Sequence, residues 1–274
     1  MMNDSSFDTA DAIRIAPLHV GKSKVLLGDL KFKKGDGDLF ASVPFFASPK
    51  LIYNGGALIE NVEVYTIFWG KNWDSSAIYK SLAQNINNFF TSILISPLID
   101  QLSEYSTTTP KYTIGHGTLI GTKNIVVHAP ASGKSITDSA IQKALQSWIT
   151  AGAIAPVSPN RLYFIYTDLN VKVIMGGSSS CTNFCGYHNN MGKTYYAVMP
   201  FPSCSGCLGG LNVLDALTGT SSHELCEAIT DPIPGAGWYD QVNGEIGDIC
   251  GWKFKKISGY NVQLEWSNIS GSCI

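Results

Sequence analysis

Residues 221–232 read Ser221-Ser222-His223-Glu224-Leu225-Cys226-Glu227-Ala228-Ile229-Thr230-Asp231-Pro232. The run holds a His and a Glu four positions apart, with a second Glu directly after the His. On an α-helix, positions i and i+4 stand one above the other on the same face. An imidazole and a carboxylate placed that way can share one divalent ion, with Glu224 beside it. This is the spacing of the H-E-x-x-H zinc-peptidase helix, with Glu227 where the second His would stand. The flanking pattern predicts a helix from Leu211 to Ile229, weakened at Gly219 and stopped by Pro232.

Outward from this helix the chain alternates strand-like and helix-like segments. Asn61 to Trp69 alternates in polarity and is rich in Val, Tyr, Ile and Phe, which predicts a strand. Ala77 to Ile95 follows a helical period through Ile78, Leu82, Ile86, Phe89, Phe90 and Leu94, and a short helix follows Pro97. Tyr112 to Ile120 and Asn124 to His128 read as paired strands. Ile136 to Ala151 reads as an amphipathic helix, with Ile141, Leu145, Trp148 and Ile149 on one face. Arg161 to Thr167 and Tyr195 to Pro200 read as buried strands, and Val262 to Trp266 as an edge strand. Such alternation predicts an α/β layer arrangement. We expect a mixed sheet with flanking helices and one helix carrying the site, all in a single domain over residues 51–274. Residues 1–50 are turn-rich and read as an N-terminal extension wrapped on that body.

The predicted apolar stripe of the 211–229 helix holds Leu214, Leu217, Ser221, Leu225 and Ala228. His223 follows Leu214 by nine residues, about 180° around the axis at 100° per residue. The candidate ligands are therefore expected on the face turned away from the core, toward a cleft. Two ligands do not complete a catalytic zinc site, which takes three protein ligands and a water. Seventeen residues separate Glu227 from Glu245 and twenty separate it from Asp248, gaps that bracket the distal Glu of thermolysin-like enzymes. Asp231 is a weaker candidate, because i, i+4 and i+8 on one helix span about 12 Å of rise; next to Pro232 it is better suited to ending the helix. Glu224 is then the general base, and Tyr239 a candidate oxyanion donor. Two carboxylates on one ion lower its Lewis acidity, so Ca²⁺ or Mn²⁺ stand as alternatives to Zn²⁺. The plain alternative is a His–Glu pair of the kind worth tenths of a kcal/mol on a helix surface.

Composition excludes several classes. Of the 274 residues, 45% are hydrophobic, enough to bury a full core. The net charge is −2 and the densest basic run is Lys253-Phe254-Lys255-Lys256, so no phosphate-binding surface is expected and nucleic acid is excluded as a partner. No apolar stretch reaches the eighteen residues that a membrane-spanning helix needs. Met1 to Ala16 carries acidic side chains and no apolar centre, so no secretory signal is read there; the chain either stays inside the cell or starts at a mature terminus.

Seven cysteines stand at 181, 185, 204, 207, 226, 250 and 273. Cys181/Cys185 and Cys204/Cys207 fit either a structural zinc site or two disulfides. The odd count leaves at least one cysteine unpaired, and Cys226 inside the helix is the natural candidate. His188 beside the cysteines is within reach of a metal or a transition state, but a hydrogen-bonded structural role is the expectation; His19, His116 and His128 are scattered and read as structural.

Several ordered motifs together resemble the exordium (phosphate-induced protein) family. They are Leu51-Ile52-Tyr53-Asn54-Gly55-Gly56-Ala57-Leu58 with Val64-Tyr65-Thr66-Ile67-Phe68-Trp69-Gly70, then Cys185-Gly186-Tyr187-His188, the Cys204/Cys207 pair, and Ala228-Ile229-Thr230-Asp231-Pro232 leading to Gly237-Trp238-Tyr239 and Glu245 to Cys250. The likeness spans roughly residues 50–255. It implies export and favours disulfides over zinc at the cysteine pairs. The family's plant members are linked to cell-wall growth without an established reaction, and many lack the helix His and its acids. Here His223, Glu224, Glu227 and Asp248 are all present. That favours Asp248 over Glu245 as third ligand and places the chain nearer to microbial relatives that resemble metallopeptidases. The expectation is a secreted zinc metallopeptidase of the H-E-x-x-E type acting on a protein or peptide. The alternatives are a non-catalytic extracellular or cell-wall interaction protein holding a structural ion, and a metal-free scaffold.

Overall fold

The structure, a computed structural model, describes residues 15–17 and 48–274. Its centre is a five-stranded mixed sheet built from Asn61–Trp69 (β2), Gly115–Ile125 (β3), Arg161–Thr167 (β4), Phe184–Met191 (β5) and Thr194–Met199 (β6). The order across the sheet is β5-β6-β4-β2-β3, and Ile15–Pro17 (β1) adds a sixth strand outside β5. β3, β2, β4 and β6 run parallel, whereas β5 is antiparallel to β6 and β1 is antiparallel to β5. A tight turn suffices between β5 and β6, while the parallel neighbours require crossovers. The crossovers contain Ala77–Ile93 (α1) and Pro97–Leu102 (α2) between β2 and β3, and Asp138–Thr150 (α3) between β3 and β4.

The central strands are apolar on both faces because each face packs against helices. In β2, Val64 and Phe68 join the core beneath α1, while Tyr65, Ile67 and Trp69 join the opposite core with Ile141 and Leu145 of α3. β4 divides in the same way, with Leu162, Phe164 and Tyr166 on one side and Tyr163 and Ile165 on the other. The alternation follows from the two-residue period of a strand. Val213–Thr230 (α4) lies on the α1 face, with Leu225, Ala228 and Ile229 in that core. A buried hydrogen bond between Tyr166 Oη and Ser221 Oγ, 2.8 Å, ties α4 to β4.

Two strand expectations are corrected. Residues 112–128 do not form a pair of strands: Gly115–Ile125 is one strand running parallel to β2. The residues that read as a turn serve close packing instead, since a Cβ at Gly121 would stand 2.6 Å from the ring of Tyr65. Residues 262–266 are likewise divided. Tyr260–Gln263 (β8) pairs with Phe254–Ile257 (β7) in a hairpin, while Trp266–Ser267 pairs with Ser272–Cys273. The break lies at Glu265, whose backbone N–H and carbonyl both bond Ile274, at 3.2 and 3.0 Å.

The cysteine pairs form three disulfides, Cys181–Cys204, Cys185–Cys207 and Cys250–Cys273, and Cys226 is free and buried. The first two link β5 and the turn before it to the segment around Ser205–Leu208, so the zinc alternative at these cysteines is replaced by covalent cross-links. Among the described residues no helix is long and apolar enough to cross a membrane. Most of the expected 1–50 extension lies outside the described residues; its described strand, β1, pairs with the sheet edge.

Candidate metal centre

α4 begins at Asn212, whose side chain accepts from the Asp215 N–H, and ends at Asp231. Pro232 has no N–H and disfavours helical geometry in the residue before it. The Asp231 carboxylate turns back to accept from the N–H groups of Gly235, Ala236 and Gly237, at 2.6, 3.1 and 2.5 Å. Burial nevertheless raises its pKa to about 6, against the pull of the Gly237 and Gly235 bonds. Asp231 thus fixes the turn toward Tyr239, in agreement with its reading as a helix end. Tyr239 is buried in a short antiparallel pair with Ile52.

The expected open cleft is absent from this face of α4. His223 is 1% exposed, and Glu224 and Glu227 are 0% exposed. The helix is buried all round because the β7–β8 hairpin and the segment from Glu245 to Cys250 cover the side opposite the apolar stripe. Gly219 marks the cover: a Cβ there would stand 2.8 Å from the Phe254 ring. Ser222 Oγ donates to the Gly219 carbonyl and accepts from the Gln263 N–H, both at 2.8 Å, which ties helix to hairpin.

Two overlapping groups converge on Glu227. Ligand atoms of His223, Glu227 and Asp248 lie within 4.8 Å of one another, and so do those of His188, Glu227 and Glu245. His223 Nε2 is 3.1 Å from Glu227 Oε1, and the Asp248 N–H donates to the same oxygen at 3.2 Å. His188 Nδ1 is 3.2 Å from Glu224 Oε2 and 3.4 Å from Glu227 Oε2, while Nε2 donates to the Asp231 carbonyl at 3.1 Å. Glu245 Oε1 lies 3.5 Å from His188 Nε2. The structure thus brings both candidate third ligands to the helix acid, Asp248 on the His223 side and Glu245 on the His188 side.

The electrostatics are those of a buried acidic pocket held by two imidazoles. Burial disfavours the charged form of His188, but Glu245, Glu224 and Glu227 outweigh it and raise its pKa well above 6.5. His223 is raised in the same way, with Glu227 opposing burial. Burial works against ionisation of Glu227, yet His223 and His188 hold its pKa down at about 2. Glu224 is raised by burial, with the two histidines pulling the other way, and burial together with the neighbouring acids pushes Glu245 well above the usual range. Glu224, the base candidate, therefore binds a proton more readily than Glu227, the ligand candidate three residues further along α4.

Four fully buried atoms of this cluster lack a well-formed hydrogen bond: His223 Nε2, Glu227 Oε2 and both carboxylate oxygens of Glu245. Orphaned buried polar atoms are costly, and a cation would satisfy them. With nitrogen and carboxylate oxygen converging in this way, the donor set fits a zinc-like ion. One outer contact bears on the fit. Gln263 Nε2 donates to the Gly247 carbonyl at 2.9 Å and lies 2.7 Å from His223 Nδ1. In a neutral ring Nδ1 then accepts, and the proton sits on Nε2. Ligation through Nε2 would place that proton on Nδ1, facing the Gln263 amide, and turning the amide over to accept it would give up its bonds with the Gly247 carbonyl and the Trp252 N–H.

His188, expected as a structural histidine, stands against Glu224 and Glu227, and the sequence reading does not include Gln263 or Ala16, whose N–H donates to Glu224 Oε1 at 3.2 Å. In β5, Gly186 and His188 share one face by the two-residue period, and a Cβ at Gly186 would stand 2.7 Å from Thr220 Cγ2 and 3.3 Å from Glu224 Oε1. Strand periodicity in Cys185-Gly186-Tyr187-His188 was the available signal for His188; neither Gln263 nor Ala16 carried one. No family model and no curated protein matches this sequence.

Proposed function

We propose that this chain is an extracellular zincin-like hydrolase in which His223, Glu227 and Asp248 hold a zinc ion and Glu224 is the general base for peptide-bond hydrolysis. The observation that carries the reading is the convergence of buried His223 and Glu227 with half-buried Asp248, where Glu227 Oε2 lacks a well-formed hydrogen bond and Glu224 stands alongside. When bound, zinc supplies Lewis acidity toward a carbonyl oxygen and acidifies water. Glu224, whose pKa is raised, takes a proton on its carboxylate and returns it to the leaving amine. His188 Nδ1 lies against Glu224 Oε2, and the Gln263 amide lies against His223 Nδ1. Three disulfides support an oxidising compartment, and the resemblance to the exordium family agrees with export.

A second reading is favoured by the burial of His223 and Glu227, which suits a structural ion in a non-catalytic extracellular protein. Metal analysis after zinc addition, combined with casein cleavage by wild type and Glu224→Gln, separates the two. The hydrolase reading expects about one equivalent of metal in both proteins and cleavage by the wild type alone. Metal in both proteins with equal cleavage rates leaves only the structural ion. Binding below about a tenth of an equivalent removes both readings.

A further inference from the structure

β1 lies where a second polypeptide would add to the sheet. β5 is the last strand of the five-stranded sheet, and a sheet edge offers unpaired N–H and C=O groups to any extended chain. Ile15–Pro17 takes that edge antiparallel, with Ile15 opposite Tyr187 and Ala16 opposite Gly186. Ala16 is buried, and its backbone N–H donates to Glu224 Oε1 at 3.2 Å. The same strand contacts α4 and the turn Asp248–Cys250. Its neighbours are therefore the elements that carry most of the cluster: β5 with His188, α4 with His223, Glu224 and Glu227, and the turn with Asp248.

The edge itself is rigid. Cys185 is bonded to Cys207 one residue before Gly186, and Cys181 to Cys204 just upstream. Gly186 has no side chain, so the helix acid can approach the edge, and any Cβ there would collide with Thr220 and with Met199. A preorganised edge with an acceptor carboxylate beneath it fits an extended polypeptide backbone, whose N–H groups are its natural donors.

We propose that residues 15–17 are a tethered blocking peptide, occupying the β5 edge and the Glu224 carboxylate in place of an extended polypeptide, which binds there once they are displaced. The inference deepens the hydrolase reading by naming its substrate class and its regulation, and rests on it for the chemistry alone. β1 is three residues long, and individual hydrogen bonds of this kind contribute about 0.5–1.5 kcal/mol net. Its hold comes mainly from being attached, since a tethered segment acts at about millimolar effective concentration. A free peptide must compete with it.

The test uses the full-length protein. Ala16→Pro removes the N–H that Glu224 accepts, while Ala16→Gly keeps it. A fluorescent peptide with the sequence of residues 11–20 of this chain is titrated into each protein in the presence of EDTA, with anisotropy as the readout. The expected result is at least about tenfold tighter binding by Ala16→Pro than by wild type or Ala16→Gly. Hydrogen exchange should rise at residues 185–188 in Ala16→Pro while the protection of β2, β4 and α1 is kept, which establishes that the variant is folded. Equal affinity in all three proteins, or no binding to the folded Ala16→Pro up to about 1 mM peptide, overturns the proposal. Because the assay runs without metal or cleavage, it is independent of the hydrolase test: failure to bind zinc leaves this inference standing, and failure of the peptide assay leaves the metal reading standing.

Discussion

Gly247→Ala probes the metal centre with a single added methyl group. The backbone at Gly247 has φ −79° and ψ −38°, which alanine adopts without strain, so the effect is steric. An added Cβ would stand 2.6 Å from His223 Nδ1 and 2.9 Å from both Cγ and Cε1. Non-bonded heavy atoms settle at about 3.5–4.0 Å, so the overlap is close to 1 Å. His223 is buried, with Glu227 on one side and Gln263 on the other. The ring must therefore shift by several tenths of an ångström or turn, and the Gln263 contact to Nδ1 and to the Gly247 carbonyl shifts with it. Overpacking of this size costs about 1–3 kcal/mol of stability. Metal–ligand distances tolerate about 0.2 Å, and disturbing the groups that orient a ligand typically weakens metal affinity by about 10–100-fold. Zinc affinity is measured by competition with a chromogenic chelator, and stability by urea unfolding in EDTA, which separates the steric cost from metal loss. An unchanged urea midpoint together with an unchanged zinc affinity would refute the placement of His223 against Gly247 and its role as a ligand.

The disulfides differ in what their removal costs. Cys250–Cys273 closes a loop of 23 residues, for which chain entropy predicts a loss of about 3.4 kcal/mol on replacing both cysteines with Ser. Cys181–Cys204 and Cys185–Cys207 overlap, so with one intact the other closes only about eight residues, and its removal costs about 2.5 kcal/mol. Urea unfolding without reductant tests the order, and a larger loss at Cys181–Cys204 than at Cys250–Cys273 contradicts it. Glu265 is fully buried, and neither carboxylate oxygen has a well-formed hydrogen bond. Burial raises its pKa well above 4.5, with Glu227 and Glu224 adding to the effect against His223 and Lys255. A raised folded pKa gives stability that is present below the unfolded value and lost as pH rises toward the folded one. Glu265→Gln should therefore gain stability relative to wild type above about pH 4.5, by up to about 1.4 kcal/mol per pH unit. Parallel stability curves for the two proteins from pH 4 to 8 would count against a neutral buried carboxyl.

Local patterns in the chain carried the helix with His223, Glu224 and Glu227, the strands of residues 61–69 and 161–167, and the helices that cross between strands. These are set by periodicity within a dozen residues and by caps such as Asn212 and Pro232, which act over one turn. The odd cysteine count requires at least one unpaired thiol whatever the fold, and the position of Cys226 inside the helix marks it as that thiol. What the helical wheel did not convey is how α4 is covered. It showed one apolar stripe and left the opposite face open, whereas the β7–β8 hairpin and residues 245–250 close over that face. That packing depends on chain segments twenty to forty residues away, which leave no periodic trace in the helix itself.

Which acid joins which histidine was also beyond the linear spacing. Glu245 and Asp248 are three residues apart, yet they face different imidazoles, because a turn beginning at Gly244 and Glu245 redirects the backbone between them. The pairing of cysteines across the two motifs, the arrival of His188 from the edge strand, and the seating of Ala16 on Glu224 all depend on strand order. Strand order is a long-range property: it is decided by which apolar faces bury one another, and no residue type marks it locally. The amino-acid sequence by itself thus determined the ligand helix, its chemical types and that at least one cysteine stays unpaired. Only the tertiary structure decided that this helix is enclosed, that its acids meet a second histidine, and that the chain's own first described strand lies across them.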